Sequence, residues 1–442
     1  MDRKIRVLLV VAEAWRGDDS GGNTLNNFFE GMDGVEFAQI YCDERMPLNN
    51  VCNLYFQIPQ SEVIRSVFTH KKIGHVLRKT DISISSVSQD KNLVKTTSPI
   101  SVKDKMVRWL KEIRPEILIT ARMLLWQFGN WKTPELEKFI KDFDPDVIYA
   151  PCYAFPQHLA LDRYVKKLTG KKMITWSADD CYSLRHFSLD PFFWINRFWN
   201  RHCLRKTYPY FDEFYSISEE EAEELEPIVG KKIGILRKGV YVPESFTPRE
   251  VHNPIKFIYA GGLYLNRHKS LIKIANTLRK LNANGVVKAE LHIYTGSHLS
   301  KKDAVLLNDG RSVFNHGLIS QNKLSQIYQD CDVAIHCESF DLKYRLMTRL
   351  SFSTKIIDCF QSGCAILAIA WGEHTGIKCL QRNDAAFCVT SVKDIEAMVT
   401  RIVENSELIK EYAMKAYQCE KRNHRIEDVQ KKLYDIFERN CK

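Results

Sequence analysis

No apolar run in this chain approaches the ~18 residues that a bilayer-spanning helix needs, so no transmembrane segment is expected. The start, MDRKIRVLLVVAEAW, joins a basic beginning to an apolar run, but Ile5 to Ala12 spans only eight residues and no small-residue cleavage pattern follows. It reads as a first buried β-strand rather than a signal sequence. Thirteen cysteines are scattered from Cys42 to Cys441, and no two stand at CxxC spacing. That scatter and the odd total argue against a zinc site or a disulfide scaffold and favour reduced, mostly buried thiols in the cytosol. The three-glycine GxGxxG dinucleotide signature is absent, as is any RNA-recognition module, which argues against a nucleic-acid partner.

The 442 residues include 45% hydrophobic and 27% charged, the composition of an ordinary globular protein of two or three domains. Lys and Arg number 64 against 54 Asp and Glu, a net charge of +10. The surplus suits an anionic partner: nucleic acid, a membrane face or a phosphorylated small molecule. It is concentrated, because Arg65 to Arg114 holds twelve basic and four acidic residues.

Strand-like runs alternate with longer amphipathic segments, the pattern of an α/β protein with parallel sheets. Strands are expected at Ile5–Val11, Glu36–Tyr41, Ile117–Thr120, Val147–Tyr149, Met173–Trp176 and Glu213–Ser216. Helices are expected at Asn23–Met32, Val102–Ile113, Pro134–Phe143 and Gln157–Leu168. A proline-containing connection without amphipathic repeat then precedes a second α/β series, from Lys256–Tyr259 to Val392–Val403, and a polar, charged helix near Ile426–Glu438. Two tandem α/β units are the expected architecture, with one larger sheet carrying a long insertion as the alternative.

Several polar groups stand where strands end. Gly21 and Gly22 precede a helix, so backbone N–H groups can approach a ligand there, although such a pair also makes a plain loop. In KFIYAGGLYLNRHKS, Arg267 and Lys269 open a helix after Gly261 and Gly262, an arrangement suited to a diphosphate or to a solvated helix start. In RLSFSTKIIDCF, Ser353, Thr354 and Lys355 begin a helix and Asp358 lies one turn on. An anion at the helix start and a sugar diol on the carboxylate fit a nucleotide-sugar, with a surface ion pair as the bland reading. Asp179 and Asp180 follow a strand, the usual place for active residues in α/β proteins, or serve as helix caps. His186 and Arg185 come shortly after. Arg197, Arg201 and Arg205 recur every four residues beside Trp194 and Phe198, a pattern suited to a lipid-phosphate headgroup or to arginines edging a packed core. The run EEEAEELE, Glu219–Glu226, reads as a solvated acidic helix face.

Taken together, these segments resemble the GT-B glycosyltransferases, in particular the family-4-like enzymes of bacterial capsule, exopolysaccharide and lipopolysaccharide assembly. ISEEEAEELEPIVGKKIGILRKGV is similar to the last strand, helix and joint of the family's first domain. GGLYLNRHK is similar to its donor loop, with Gly262 at the usual arginine position and Arg267 near the usual lysine. GSHL, with Gly296, and the segment through Gly317 resemble those that frame the base. LSFSTKIID replaces EGFGxxxxE, so Asp358 matches the ribose-binding Glu, while Leu350 takes the place of the first Glu.

The resemblance implies two Rossmann-like domains facing a central cleft: residues 1–235 binding acceptor, a linker over 236–254, and residues 255–442 binding the nucleotide-sugar, with the last helix packing back on the first domain. It implies a hexosyltransferase that needs no metal or cofactor and retains anomeric configuration, with an NDP-sugar as donor. The acceptor would be a saccharide or a polyprenyl-diphosphate-linked glycan. Asp180, then Asp179 and His186, are the expected catalytic residues. Gly21, Gly22, Gly262, Arg267, Lys269, Gly296, Ser353, Thr354, Lys355 and Asp358 are the expected nucleotide-sugar contacts. A cytoplasmic protein, peripheral at the inner face of the plasma membrane, is expected from the basic first domain. The rival is a non-catalytic saccharide-binding or scaffold protein of the same fold.

Overall fold

The computed structural model describes residues 3–81 and 115–441. Eight strands form the first sheet: β1 Ile5–Val11, β2 Val35–Tyr41, β3 Leu54–Gln57, β4 His75–Arg78, β5 Val147–Tyr149, β6 Lys172–Ser177, β7 Glu213–Ser216 and β8 Ile233–Ile235. Their order is β4-β3-β2-β1-β5-β6-β7-β8, and every pairing is parallel except β3 with β4. Six strands form the second: β9 Ile255–Ala260, β10 Ala289–Tyr294, β11 Val313–Asn315, β12 Val333–Cys337, β13 Ala365–Ile369 and β14 Phe387–Val389. They run parallel in the order β11-β10-β9-β12-β13-β14. Two separate sheets replace the single-sheet alternative.

Strands covered on both faces need apolar side chains on both, so they read as continuous hydrophobic runs. β13, AILAI, is buried at every position, and β1 is buried from Val7 to Val11. The chain passes between the sheets near residues 236–254 and returns near 424–426. The two passes touch, with Val240 N–H donating to His424 O and Ile426 N–H to Val240 O at 2.9 Å. The closing helix, Ile426–Asn440, then packs on the first sheet. Its Val429, Leu433, Ile436 and Phe437 join the core of Val7, Leu9 and Phe29. Burying each such side chain contributes about 1.5–3 kcal/mol, so the helix belongs energetically to the first domain, which the chain leaves near residue 236.

Three expectations change. Ile117–Thr120 is not a strand but part of the helix Glu116–Phe128. The β-branched run resembles a strand locally, yet Met123 and Trp126 are buried at helical spacing, and packing against neighbouring helices decides. β3, β4, β8 and β11, each of three or four residues and at or beside a sheet edge, had no expected counterpart. The acidic helix, Glu219–Val229, is not a solvated face, because Glu219, Glu220 and Glu224 pair with arginines of the second half of the chain. The expected helix Val102–Ile113 lies outside the described residues, as does most of the basic stretch from Arg65 to Arg114.

In each sheet the strand order reverses at one place, between β1 and β5 and between β9 and β12. Chains leaving the carboxyl ends of strands at such a place diverge to opposite faces and leave a crevice. The two crevices open on one another.

Candidate functional site

A cleft of about 900 Å³ lies between the two sheets. Its first-domain wall comes from segments just beyond β1, β5 and β6, including Glu13, Gly21, Gly22, Asp179 and Asp180. Its second-domain wall comes from segments beyond β9 and β12 and before the helix Thr354–Gln361, including Tyr264, Arg267, Glu338, Ser353 and Thr354.

On the first wall, Asp19 caps the helix Ser20–Phe29 by accepting from Gly22 N–H at 2.7 Å. The turn is so tight that a Cβ on Gly22 would fall 1.6 Å from the Arg16 carbonyl oxygen, so only glycine fits. Beyond β6, Asp180 is almost wholly buried. Its Oδ1 accepts from Ser183 N–H at 2.8 Å, Tyr182 N–H at 3.2 Å and Arg197 Nη2 at 2.8 Å, while Oδ2 accepts from the Ser183 hydroxyl. His186 Nε2 stands 3.6 Å from Oδ2. Burial alone would raise this carboxyl. His186, Ser183 and the Arg197 charge outweigh burial and hold it well below the ordinary carboxylate range. A carboxylate so fully engaged is a strong anchor and a poor proton acceptor. Asp179 differs: it is exposed to the cleft, with Oδ1 accepting from Ser351 Oγ of the second domain at 2.6 Å.

Deeper in the same wall, Glu221 is buried with only hydroxyl partners, Ser177 Oγ and Ser216 Oγ, each at 2.5 Å. Burial pushes its carboxyl up to about 8 against the two hydrogen bonds, and the Asp179 and Asp180 charges add to the rise.

On the second wall, β9 is followed by Gly261 at φ +143°, where a Cβ would meet Lys355 Cε at 2.2 Å. The bare backbone lets Lys355 pass beneath the turn, with Nζ 2.9 Å from Tyr259 OH and 3.5 Å from the Gly262 carbonyl. Burial lowers the Lys355 pKa, and the Arg267 charge lowers it further. Arg267 is buried and makes a two-bond fork to Glu338, Nε to Oε2 at 2.9 Å and Nη2 to Oε1 at 2.8 Å. Tyr264 covers the guanidinium, its ring centre 4.5 Å from Cζ. Nη1 is buried without a partner. A buried donor without an acceptor costs about 1–3 kcal/mol, which an anion accepting there would recover. Ser353 caps the helix Thr354–Gln361, and both Ser353 and Thr354 line the cleft at its positive end.

Several expected residues stand elsewhere. Lys269 does not join Arg267. It is exposed on the other side of its helix and pairs with Asp341 at 2.7 Å, because two positions along a helix turn a side chain most of the way round. Gly296 lies outside the cleft lining against Leu318. Asp358 is half-buried and, like Gly262 and Lys355, adjoins the cleft lining without being part of it; its carboxyl is raised by burial while Lys238 and Lys355 pull it back. The arginine row edges the packed core, as in the second expected reading: Arg197 is buried, Arg201 half-buried and Arg205 exposed, and all three bond the segment 180–183. Arg197 holds Asp180, Arg201 donates to the Tyr182 carbonyl and stacks 4.0 Å from that ring's centre, and Arg205 Nε donates to Tyr182 OH at 2.5 Å.

Sequence reasoning missed Glu338, Lys238 and Glu13, which line the cleft, and Arg349, which reaches across beside it. Glu338 directly follows β12, so the strand-end rule that found Asp180 could have found it. Among the described residues, no group of three or more His, Cys, Asp or Glu is placed to hold a metal ion. No described helix is long and apolar enough to cross a membrane.

Solved structures share this arrangement over nearly their whole length. Sucrose-phosphate synthase of Thermosynechococcus elongatus superposes with a TM-score of 0.60 at 9% identity, covering 99% of each chain. S. aureus TarM gives 0.59 at 9% identity over 98% of each chain. Anabaena HepE in complex with UDP gives 0.58 at 10% identity over 98% of this chain and 99% of that one. No protein-family model matches the chain, and neither does any curated protein. The chain has the GT-B architecture, two Rossmann-like α/β domains facing a central cleft.

Proposed function

We propose that this protein is a glycosyltransferase that moves a hexose from an NDP-sugar to a saccharide or polyprenyl-diphosphate-linked acceptor in surface-polysaccharide assembly. The observation that carries the reading is Arg267, a buried guanidinium on the cleft wall with Nη1 unpartnered, beside Lys355 and a helix start. As the donor bond breaks, negative charge develops on the leaving diphosphate, and fixed cations on the cleft wall stabilise it. In this reading Arg267 and Lys355 supply that charge, Gly262, Ser353 and Thr354 shape the pocket, and Asp358 serves the ribose. No step of it requires a metal. That Anabaena HepE was solved with UDP makes a uridine diphosphate the first donor class to try.

On the acceptor side, Asp180 positions the loop rather than accepting a proton, since its oxygens are already engaged. Asp179, exposed in the cleft, is the carboxylate with capacity to orient the acceptor hydroxyl, with His186 and the Gly21–Gly22 turn nearby. The reading includes a cytoplasmic protein that touches an anionic membrane at its inner face. The exposed Phe68, Phe128, Leu189 and Phe198 of the first domain support that contact. Sedimentation with anionic vesicles at low and high salt tests it, and no binding at low salt removes the membrane part.

The non-catalytic reading has one observation in its favour: Leu350, in place of the family's first Glu, is buried and apolar. Sugar binding without turnover would support it, whereas donor hydrolysis or transfer lost in Asp179→Asn would support the enzyme. The donor site is tested by titrating nucleoside diphosphates against Arg267→Ala, Lys355→Ala and Asp358→Ala. Unchanged affinity in all three overturns it.

A further inference from the structure

Arg349 belongs to the second domain, where its carbonyl accepts from Thr375 N–H at 2.9 Å, and its side chain is almost wholly buried. The guanidinium leaves that domain. It donates to both oxygens of Glu224 on the first-domain helix Glu219–Val229, from Nη2 to Oε2 at 2.8 Å and from Nη1 to Oε1. Nη2 also stands 3.5 Å from Asp180 Oδ2. Two residues on, Ser351 makes its bond to Asp179. Residues 348–354 therefore carry Ser353 and Thr354 at one end and hold the Asp179–Asp180 loop at the other. Arg382 reinforces the same junction, pairing with Glu219 at 3.1 Å and Glu220 at 3.0 Å.

We propose that Arg349 is a positioning residue that locks the donor-side segment 348–354 to the acceptor-side loop 179–186, aligning the two halves of the cleft only when the domains are closed. Its consequence for catalysis rests on the glycosyltransferase reading; the lock itself does not. A planar guanidinium bonds a carboxylate through two parallel contacts, so a small slip breaks both at once. Arg349 is buried, whereas Glu224 is half-buried and also meets Arg185 at 3.3 Å. A slip that breaks the fork therefore strands the guanidinium, which makes an ajar cleft worse than either a closed or a fully open one. The contact thus favours two discrete states. Lysine keeps the charge at this position but loses the fork.

The test uses the full-length protein without ligand. Small-angle X-ray scattering of Arg349→Ala and Glu224→Gln should each give a larger radius of gyration than wild type, with Arg349→Lys in between. The double variant should open no further than Arg349→Ala, because the fork to Glu224 is already lost there. In the same proteins, nucleoside diphosphate affinity should stay at the wild-type value while kcat for transfer falls by up to about a hundredfold, as misalignment without lost binding requires. Lysine should restore part of kcat. An unchanged radius in Arg349→Ala, or full additivity in the double variant, overturns the lock. Should wild type bind no nucleoside diphosphate, the glycosyltransferase reading fails, and the scattering series still decides the lock.

Discussion

On the first-domain wall of the cleft, Asp180 has both oxygens occupied by Ser183, Tyr182 and Arg197. On the second-domain wall, Arg267 forks to Glu338 and still has Nη1 without a partner. Both walls are built on a buried arginine–carboxylate pair, and they differ in what is left over. The first closes its hydrogen bonds within the domain and so fixes a loop. The second keeps an unpaired donor next to a further cation, and so is prepared for an anion. Even within the first wall, environment sets charge: Asp180 faces Arg197 and is driven strongly ionised, while Glu221 meets only hydroxyls and is driven toward its neutral form.

The largest effect should come from Glu338→Ala, which strands a buried guanidinium and should cost about 3–5 kcal/mol in urea unfolding. A loss below 1 kcal/mol, on the order of a surface change, would mean that the second wall is not held by this pair. Next, Glu221→Gln should stabilise the protein by about 2–3 kcal/mol at pH 7. The sign follows from a folded carboxyl raised to about 8: wild-type stability is highest below the unfolded value of about 4.3 and declines as pH rises toward 8. The variant should lack that decline.

Asp180→Asn should behave oppositely, losing about 1–3 kcal/mol at neutral pH. A carboxyl lowered by folding contributes stability above its unfolded value of about 3.9 and loses it as the pH falls further. The variant's stability should therefore be flatter than wild type's in acid, as thermal melts across that range would record. Arg267→Lys keeps one charge but loses the fork, and calorimetry should find nucleoside diphosphate affinity about tenfold weaker. Lys269→Ala should change stability by no more than about 0.5 kcal/mol and leave diphosphate affinity alone, since its ion pair is exposed. A Lys269 effect equal to that of Arg267 would erase the distinction between the cleft wall and its outer face.

Much of the scaffold could be read because buried parallel strands write themselves as apolar runs, as in Ile5–Val11 and Ala365–Ile369. The failures have local causes. Glu116–Phe128 carries a β-branched start that imitates a strand, and Leu54–Gln57 and the edge strand His75–Arg78 are too short for a repeat to register. At the site, strand-end position located Arg267 and the aspartate pair, and a helix start located Ser353 and Thr354. It did not separate Asp180 from Asp179, because neighbours in sequence differ in function only through what surrounds them. Glu338 lies 71 residues from Arg267 and Arg349 lies 125 from Glu224, so neither pairing leaves a trace in local spacing.

An α/β chain of two units with polar clusters at the ends of its strands is written in local periodicity and strand-end chemistry, which need no distant residue to be read. Tertiary structure alone decided which groups are closed off and which stay available. It tied the arginine row to the Asp180 loop, made the acidic helix a junction and left Arg267 with an unpaired nitrogen. Burial and partnership decide the charge and reach of a polar group, and both depend on residues distant along the chain.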